Sequence, residues 1–398
     1  MKTRSLAALA AAAIALAPAV PVAGQTPVTS LGLGYPTPPV DARAAALGGV
    51  GVGLLGGTFS IRNPADLVEF SEASLSLSAS PEGVTVKRTD GPSGTTGRSR
   101  FPALRAVVPL GAFAASVGFA SRLDQDWRFG LRDTLDISSG RFPFEERREN
   151  DGGVSAVDLS LARSVGPLSV GVSYQRLTGS LRQDLLRRFQ VPPDSVVLEP
   201  PERVIQTGNW SYSGWRVKGG LGVRLGDWLR VSGVYAWSGD LSAERDTVIT
   251  TRNDPDAPPV VFGMPPSATV GASASPLEDW LVTAGGGWTG WSETDASLQE
   301  ENARDVYWAG GGLEFSGVSL GSFPLRLRAG GRWAELPFSL PGRAAATEKA
   351  VTFGLGADFA SGRAAVDLAG ELGDRGTLGR TGFEESFRRF TLTATIRQ

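Results

Sequence analysis

Basic side chains recur at alternate positions in two stretches of this sequence. Arg326 and Arg328 are followed by Arg332, and Arg216 is followed by Lys218. If these stretches are β-strands, the side chains of each stretch share one face, and a guanidinium is a bidentate donor for a carboxylate. The sequence leaves two roles open, because Arg326 and Arg328 either bind the carboxylate of a ligand or neutralise interior acids. The acids available for such pairs are Asp158, Glu314, Asp358, Asp367 and Glu371.

Apolar side chains stand out in two long polar connections. Leu181, Leu185 and Phe189 are four residues apart, which predicts an apolar stripe on a short helix. The alternative is a strand that continues through the same residues. Phe262 lies in the second connection, residues 239–265, and would supply an opposing apolar wall.

The composition argues against several classes of function. The chain has 398 residues, a formal net charge of -2, and neither Cys nor His. Without Cys there are no disulfides, thiolate zinc sites or Cys nucleophiles, and without His the usual general base is missing. Gly51, Gly53 and Gly56 match the spacing of a dinucleotide loop, but no strand, helix and ribose-binding acid surround them. We therefore expect no enzyme, no metal, no cofactor and no nucleic-acid partner.

A basic start, a short apolar run and small residues open the chain. Met1–Arg4 precede the apolar run Leu6–Ala17, and small residues continue to Gly24. This order is typical of a secretory signal peptide, so we expect residues 1–24 to be cleaved during export. The run is too short to span a membrane, and no later stretch reaches the roughly 18 apolar residues that a transmembrane helix needs.

Alternating side chains dominate the rest of the sequence. In residues 266–291, the turn Pro276–Asp279 joins two alternating stretches into a hairpin with one apolar face. Connections are alternately long and short, as in bacterial membrane barrels. The sequence therefore predicts an all-β fold, a fourteen-stranded antiparallel transmembrane β-barrel. The predicted strands lie near residues 73–79, 101–108, 113–121, 155–163, 168–177, 213–225, 228–238, 266–275, 280–291, 307–315, 324–333, 349–359, 363–372 and 387–396.

Tryptophans fall at both ends of the predicted strands, which favours two aromatic belts at the membrane interfaces. Trp228 and Trp280 follow short turns. The alternative is packing in the core of a soluble β-protein, but then outward rows such as Leu168, Val170 and Val172 would be exposed to water. The tryptophans beside long connections are Trp215, Trp237, Trp291, Trp308 and Trp333.

Two short motifs resemble the FadL family of outer-membrane transporters for hydrophobic compounds. They are Ala42-Arg43-Ala44 with the pair Gly48-Gly49, and Asn63-Pro64-Ala65, with the 266–291 hairpin downstream. The resemblance implies that residues 25–72 form a hatch inside a barrel of residues 73–398, with Asn63, Pro64 and Ala65 in that hatch. It also implies capture of a hydrophobic ligand, a long-chain fatty acid or a hydrocarbon, by apolar outer loops that contain Leu181, Leu185, Phe189 and Phe262.

A second resemblance gives a different function. Gly354-Leu355-Gly356 and Gly373-Asp374-Arg375-Gly376 are similar to segments of PorV-like barrels, which implies a binding or scaffold partner in protein secretion. We expect a monomer in the bacterial outer membrane, in contact with its lipid, that takes up hydrophobic compounds passively; the alternative is the scaffold. Release would follow a shift of the hatch, or would be lateral at a bend near Gly118.

Overall fold

Strands make up most of the part of the chain that the computed structural model describes, namely residues 27–37, 41–60, 62–89, 93–137, 140–190, 203–249, 259–294, 302–321 and 323–398. The predicted signal peptide, residues 1–24, lies outside these ranges. The strands are β1 (Tyr35–Pro36), β2 (Ser74–Arg88), β3 (Gly94–Leu110), β4 (Phe113–Asp124), β5 (Trp127–Ile137), β6 (Gly140–Val165), β7 (Leu168–Phe189), β8 (Val204–Leu225), β9 (Leu229–Ser238), β10 (Leu241–Ile249), β11 (Val260–Phe262), β12 (Ser267–Leu277), β13 (Trp280–Thr289), β14 (Val306–Leu320), β15 (Phe323–Glu335), β16 (Thr347–Phe359), β17 (Ala364–Gly376) and β18 (Phe383–Arg397). The helices are α1 (Pro27–Ser30), α2 (Ala42–Ala46) and α3 (Leu378–Thr381), with 3₁₀ helices at Pro64–Glu69 and Trp291–Glu293.

Fourteen of these strands close into an antiparallel barrel, because β18 pairs with β2. Their order around the barrel is β2, β3, β4, β6, β7, β8, β9 and then β12 to β18. Each overlaps one strand predicted from the sequence, so the predicted fold class is confirmed. The other strands extend this sheet or line it: β5 pairs with β6, β10 with β8 and β11, and β1 with β4.

The outer surface of the barrel is apolar. On β16, Val351 is 67% exposed whereas the next residue, Thr352, is 1% exposed, as the alternation of a strand between two faces requires. The predicted outward row Leu168, Val170 and Val172 is likewise exposed. An apolar band of this kind is typical of a barrel in lipid.

The tryptophans divide differently from the sequence prediction. Trp228, Trp237 and Trp280 are exposed on the outer surface. Trp291 is instead 3% exposed, because its 3₁₀ helix follows the end of β13, and Trp308 lines a cavity inside the barrel. Placing these two in a belt was therefore wrong.

Three neighbouring strands extend well beyond the membrane. β6 has 26 residues and β7 and β8 have 22 each, so at about 3.3 Å per residue they exceed the apolar band of about 25 Å. The stretch Leu181, Leu185 and Phe189 therefore lies in β7, and the helix interpretation was wrong. A spacing of four residues places side chains on one face of a strand as well, because four is a multiple of the strand period of two.

Described residues 27–37, 41–60 and 62–72, here called the luminal segment, pack inside the barrel. Helix α2 contacts β15, β16, β17 and β18, while the 3₁₀ helix Pro64–Glu69 contacts strands on the other side, from β3 to β9. Both helices have side-chain caps, since Asp41 accepts a hydrogen bond from the Ala44 N–H and Asn63 accepts one from the Ala65 N–H. The alanines of α2 are fully buried, so small side chains let it lie close to the wall.

Glycines in the wall allow the luminal segment to approach the strands closely. A Cβ at Gly310 would overlap the Gly48 carbonyl oxygen, and one at Gly220 would overlap the Asn63 side chain. Gly48 itself has a positive φ of +70°, which favours glycine. These contacts explain why β14 and β8 contain glycines at inward positions, where a barrel lined by side chains would carry larger residues.

Candidate ligand-binding site

A cavity of about 220 Å³, here called the inner cavity, lies between the luminal segment and the barrel wall. Its apolar lining includes Leu123, Val234, Met264, Trp291, Val306 and Leu336. Its basic lining residues are Arg62, Arg122, Arg216, Lys218 and Arg332, and its acidic ones are Glu335 and Glu348. The cavity therefore combines apolar surface with more basic than acidic groups.

The buried acid at this cavity is already engaged by protein cations. Glu348 accepts hydrogen bonds from Arg332 and Arg375, both at 2.6 Å, and from the Tyr35 hydroxyl at 2.7 Å. Lys218 lies 3.3 Å from a carboxylate oxygen of Asp158. These pairs neutralise charges inside the wall, as buried ions require.

Three arginines of the inner cavity have no such partner. Among the described residues, Arg62, Arg122 and Arg216 have no carboxylate within ion-pair distance: Arg62 lies over the Trp308 ring at 4.6 Å, and Arg216 donates to the Ser267 hydroxyl while its Nε has no partner. Burial lowers the pKa of Arg62 to about 9, with further contributions from the positive charges of Arg332 and Arg122. Positive charge therefore exceeds negative charge among the residues that line this cavity.

Arg326 and Arg328, the two arginines that the sequence analysis proposed as ligand-binding residues, are each paired with acids. Arg328 is 4% exposed and donates to Glu314 and Asp367, both at 2.6 Å. Arg326 forms an ion pair with Asp358 and lines a separate polar cavity of about 270 Å³. Neither side chain lines the inner cavity.

Sequence reasoning missed Arg62 and Arg122 as site residues. Arg62 immediately precedes the Asn63-Pro64-Ala65 motif, so its place in the luminal segment was available as a signal. Arg122 lies at an irregularity in the β4–β6 ladder between Ser121 and Leu123, which the sequence does not reveal.

A second cavity, the outer cavity, has a volume of about 330 Å³ and lies above the inner one, among strands that extend beyond the membrane. Leu181 of β7 and Phe262 of β11 both line it, so the structure brings together two of the predicted ligand-binding residues. Leu185 and Phe189 lie farther along β7 and do not line it; Phe189 packs against Phe144 with ring centroids 5.9 Å apart. The remaining aromatic lining consists of Trp127, Trp210 and Tyr212.

An apolar cluster separates the two cavities. Leu33 of the luminal segment is 3% exposed and packs with Leu123, Leu181 and Trp291. Leu181 also lines the outer cavity, whereas Leu123 and Trp291 also line the inner one. The cluster therefore links the outer cavity to the inner one through apolar side chains.

The motif Asn63-Pro64-Ala65 anchors the luminal segment to the wall. The Asn63 amide donates to the Leu221 carbonyl at 3.4 Å, in addition to capping its helix. The following residue, Asp66, accepts hydrogen bonds from Arg230 at 2.9 Å and from the Gly53 N–H at 2.8 Å. Asp66 was not singled out from the sequence, although its place beside the motif could have indicated it.

The barrel wall has an unpaired stretch between β3 and β4. Their ladder stops at Ala103 and Ala120, although β3 extends back to Gly94 and β4 extends on to Asp124. Strand β1 of the luminal segment pairs with β4 at this place, with Pro36 opposite Leu123. Gly118 itself is paired on both sides, and the irregularity of β4 lies between Ser121 and Leu123.

Among the described residues, no group of acidic side chains is arranged to hold a metal ion. None of their helices has the length and apolar character needed to cross a membrane.

Solved structures of other proteins resemble this chain, whereas no known family model and no curated protein matches it. The Ralstonia pickettii toluene transporter TbuX is 16% identical, with a TM-score of 0.56 over 91% of this chain and 98% of its own. A Pseudomonas aeruginosa FadL homologue is 12% identical, with a TM-score of 0.60 over 91% and 99%. The monoaromatic hydrocarbon channel CymD is 18% identical, with a TM-score of 0.57 over 90% and 97%. At these identities the likeness shows a shared fold, and this chain has the FadL-type barrel fold.

Proposed function

We propose that this protein is a passive channel for hydrophobic compounds in the bacterial outer membrane. The observation that supports this most is the series of outer cavity, apolar cluster and inner cavity inside a barrel whose outer surface is apolar. Apolar cavities with a few polar groups are typical of small-molecule sites. The proteins with the same fold include a toluene transporter and a monoaromatic hydrocarbon channel. A role in transport rather than catalysis also agrees with the absence of Cys and His.

In this proposal a hydrophobic molecule first enters the outer cavity beside Leu181 and Phe262. It then passes Leu33 and Trp291 of the apolar cluster and reaches the inner cavity. Long-chain fatty acids and hydrocarbons both suit the apolar lining, and a fatty acid would gain a carboxylate contact with an arginine there. Leu185 and Phe189 would contact the molecule before it reaches the outer cavity.

Release depends on the luminal segment, which acts as the hatch. Strand β1 covers the free edge of β4 where the wall is unpaired, so its movement away from Leu123 would open the inner cavity toward the membrane. The rest of the segment is held by Asp66 and Arg230 and would stay in place. The protein is proposed to act as a monomer in contact with outer-membrane lipid, after export with a signal peptide of residues 1–24.

The test is ligand binding by the refolded protein in lipid nanodiscs, followed by its tryptophan fluorescence. Toluene and oleate are titrated into the wild type, Leu181→Asn and Leu186→Asn. Leu186 is a matched control, because it is the same residue type on the opposite face of β7. Loss of apolar contact at Leu181 should weaken binding by about tenfold, since burying a Leu side chain contributes about 1.5–3 kcal/mol and each 1.4 kcal/mol is tenfold.

Two outcomes would count against this function. No saturable response to either compound, in protein shown to be folded by heat-dependent gel mobility, would exclude binding in the barrel and favour the PorV-like scaffold. Equal weakening by Leu181→Asn and Leu186→Asn would show that the outer cavity is not the entry site.

A further inference from the structure

Arg62, Arg122 and Arg216, the three arginines of the inner cavity without a carboxylate partner, reduce the stability of the folded protein. Arg216 is 7% exposed, and its Nε has no hydrogen-bond partner although it is fully enclosed. Arg62 lines the same cavity as Arg122 and Arg332, and its pKa is lowered by burial and, to a smaller extent, by these two cations. A buried cation without a counter-ion destabilises a fold. The presence of these arginines in one cavity therefore indicates a ligand that supplies negative charge.

The charges that the protein itself supplies do not balance this cluster. Glu348 is shared between Arg332 and Arg375, and Asp158 is shared between Lys218 and Arg105. Glu335, the other acid of the cavity, lies 3.8 Å from Arg304. Glu348, Asp158 and Glu335 thus each already face at least one other cation.

Apart from its charged residues, the inner cavity is lined by apolar side chains and some hydroxyl groups, and it is small. Leu123, Val234, Met264, Val306 and Leu336 line it beside the arginines. Its volume of about 220 Å³ is below the roughly 300 Å³ at the lower end of ordinary ligand pockets. A ligand that fills it therefore has a short apolar body and a charged head group.

We propose that the inner cavity binds amphiphiles whose head group carries two negative charges, and that alkyl phosphate monoesters are the class it fits. A phosphate presents three acceptor oxygens, and arginine binds phosphate in a bidentate manner. A dianion neutralises most of the charge of Arg62, Arg122 and Arg216, whereas a monoanion leaves two of the three uncompensated. This inference rests on the proposed function, because the ligand reaches the cavity by the route described above.

The experiment compares three octyl compounds that share one chain, used below their micelle-forming concentrations at pH 8. Octyl phosphate carries two charges, octyl sulfate carries one on a head group of similar shape, and octanol carries none. Binding to the refolded barrel in nanodiscs is followed by the fluorescence of Trp291 and Trp308, which line the cavity. We expect octyl phosphate to bind about tenfold or more tightly than octyl sulfate, because a hydrogen bond to a charged group contributes about 1.5–3 kcal/mol.

Two cavity variants and one matched control identify the site. Arg122→Gln and Arg216→Gln should each reduce the preference for phosphate over sulfate by about tenfold. Arg363→Gln is the control, because Arg363 is an exposed arginine in the turn between β16 and β17. Arg122→Gln should also raise the melting temperature of the ligand-free protein, since it removes a cation that has no carboxylate partner. If Arg122 only stabilised the fold, its replacement would instead lower the melting temperature.

The outcomes separate this inference from the proposed function. Similar affinity for all three compounds would overturn the head-group inference and leave the channel for hydrophobic compounds intact. Equal binding of phosphate and sulfate, both tighter than octanol, would also overturn it, because the site would then take a single charge. Absence of binding by all three would refute both proposals.

Discussion

Replacing Arg230 with Met should undock the luminal segment from the barrel wall. Arg230 is 1% exposed, and its guanidinium donates to Asp66 at 2.9 and 3.1 Å and to Glu69 at 2.8 Å. Both acids belong to the 3₁₀ helix of the segment. Breaking a buried ion pair by removing one partner costs about 3–5 kcal/mol. Since each 1.4 kcal/mol is about tenfold, the docking equilibrium should weaken by roughly a hundredfold or more.

The assay is limited trypsin digestion of the folded barrel, with the peptides identified by mass spectrometry. Cleavage after Arg43 and Arg62 reports undocking, because both arginines lie in the luminal segment, and its rate follows the population of the open form when reclosing is fast. The matched control is Arg224→Met. Arg224 also pairs with Glu69, at 3.2 Å, but its side chain is 41% exposed, so its loss should cost at most about 1 kcal/mol.

The barrel itself should remain closed in both variants, since its strand ladders do not depend on Arg230, and heat-dependent gel mobility checks this. Unchanged cleavage after Arg43 and Arg62 in a folded Arg230→Met barrel would refute the anchoring role. If Arg224→Met accelerated this cleavage as much as Arg230→Met, burial of the ion pair would not set the strength of docking.

Two further perturbations test the contacts of the luminal segment. Gly310→Val should accelerate the same tryptic cleavages, because its side chain would overlap the Gly48 carbonyl. Gly219→Val is the control, since a Cβ there meets nothing within 4 Å. Equal acceleration of cleavage by both variants would refute the close-contact argument. Pro36→Cys combined with Leu123→Cys should form a disulfide between β1 and β4, which face each other at this register in a chain without Cys. The oxidised protein should bind ligand but fail to release it into liposomes, and reduction should restore release; transport by the oxidised form would show that β1 does not move.

Much of the barrel could be predicted from the sequence because strand alternation is local. The side chains of residues such as Val351 and Thr352 point to opposite faces whatever the partner strand is, so the fourteen strands and their apolar outer faces follow from spacing alone. The same locality explains the ambiguity at Leu181, Leu185 and Phe189. Their spacing suits both a helix and a strand, and pairing with β6 and β8 selects the strand.

The candidate site depended on contacts between distant parts of the chain. Arg328 and Arg122 look alike in sequence, yet the first pairs with Glu314 and Asp367 and the second has no carboxylate partner among the described residues. Which arginine is neutralised depends on the residues that neighbouring strands and the luminal segment bring next to it.

The sequence by itself determined the type, number and order of the barrel strands, since a period of two needs only neighbouring residues. Tertiary structure decided which cations remain uncompensated, where Leu33 divides the interior into two cavities, and where β1 replaces β3 at the edge of β4. Closing the barrel brings residues such as Arg62 and Arg216 to one cavity, although they lie far apart in the chain. The electrostatic energy of each charge depends on all its neighbours in space, so neighbouring residues in the sequence do not determine it.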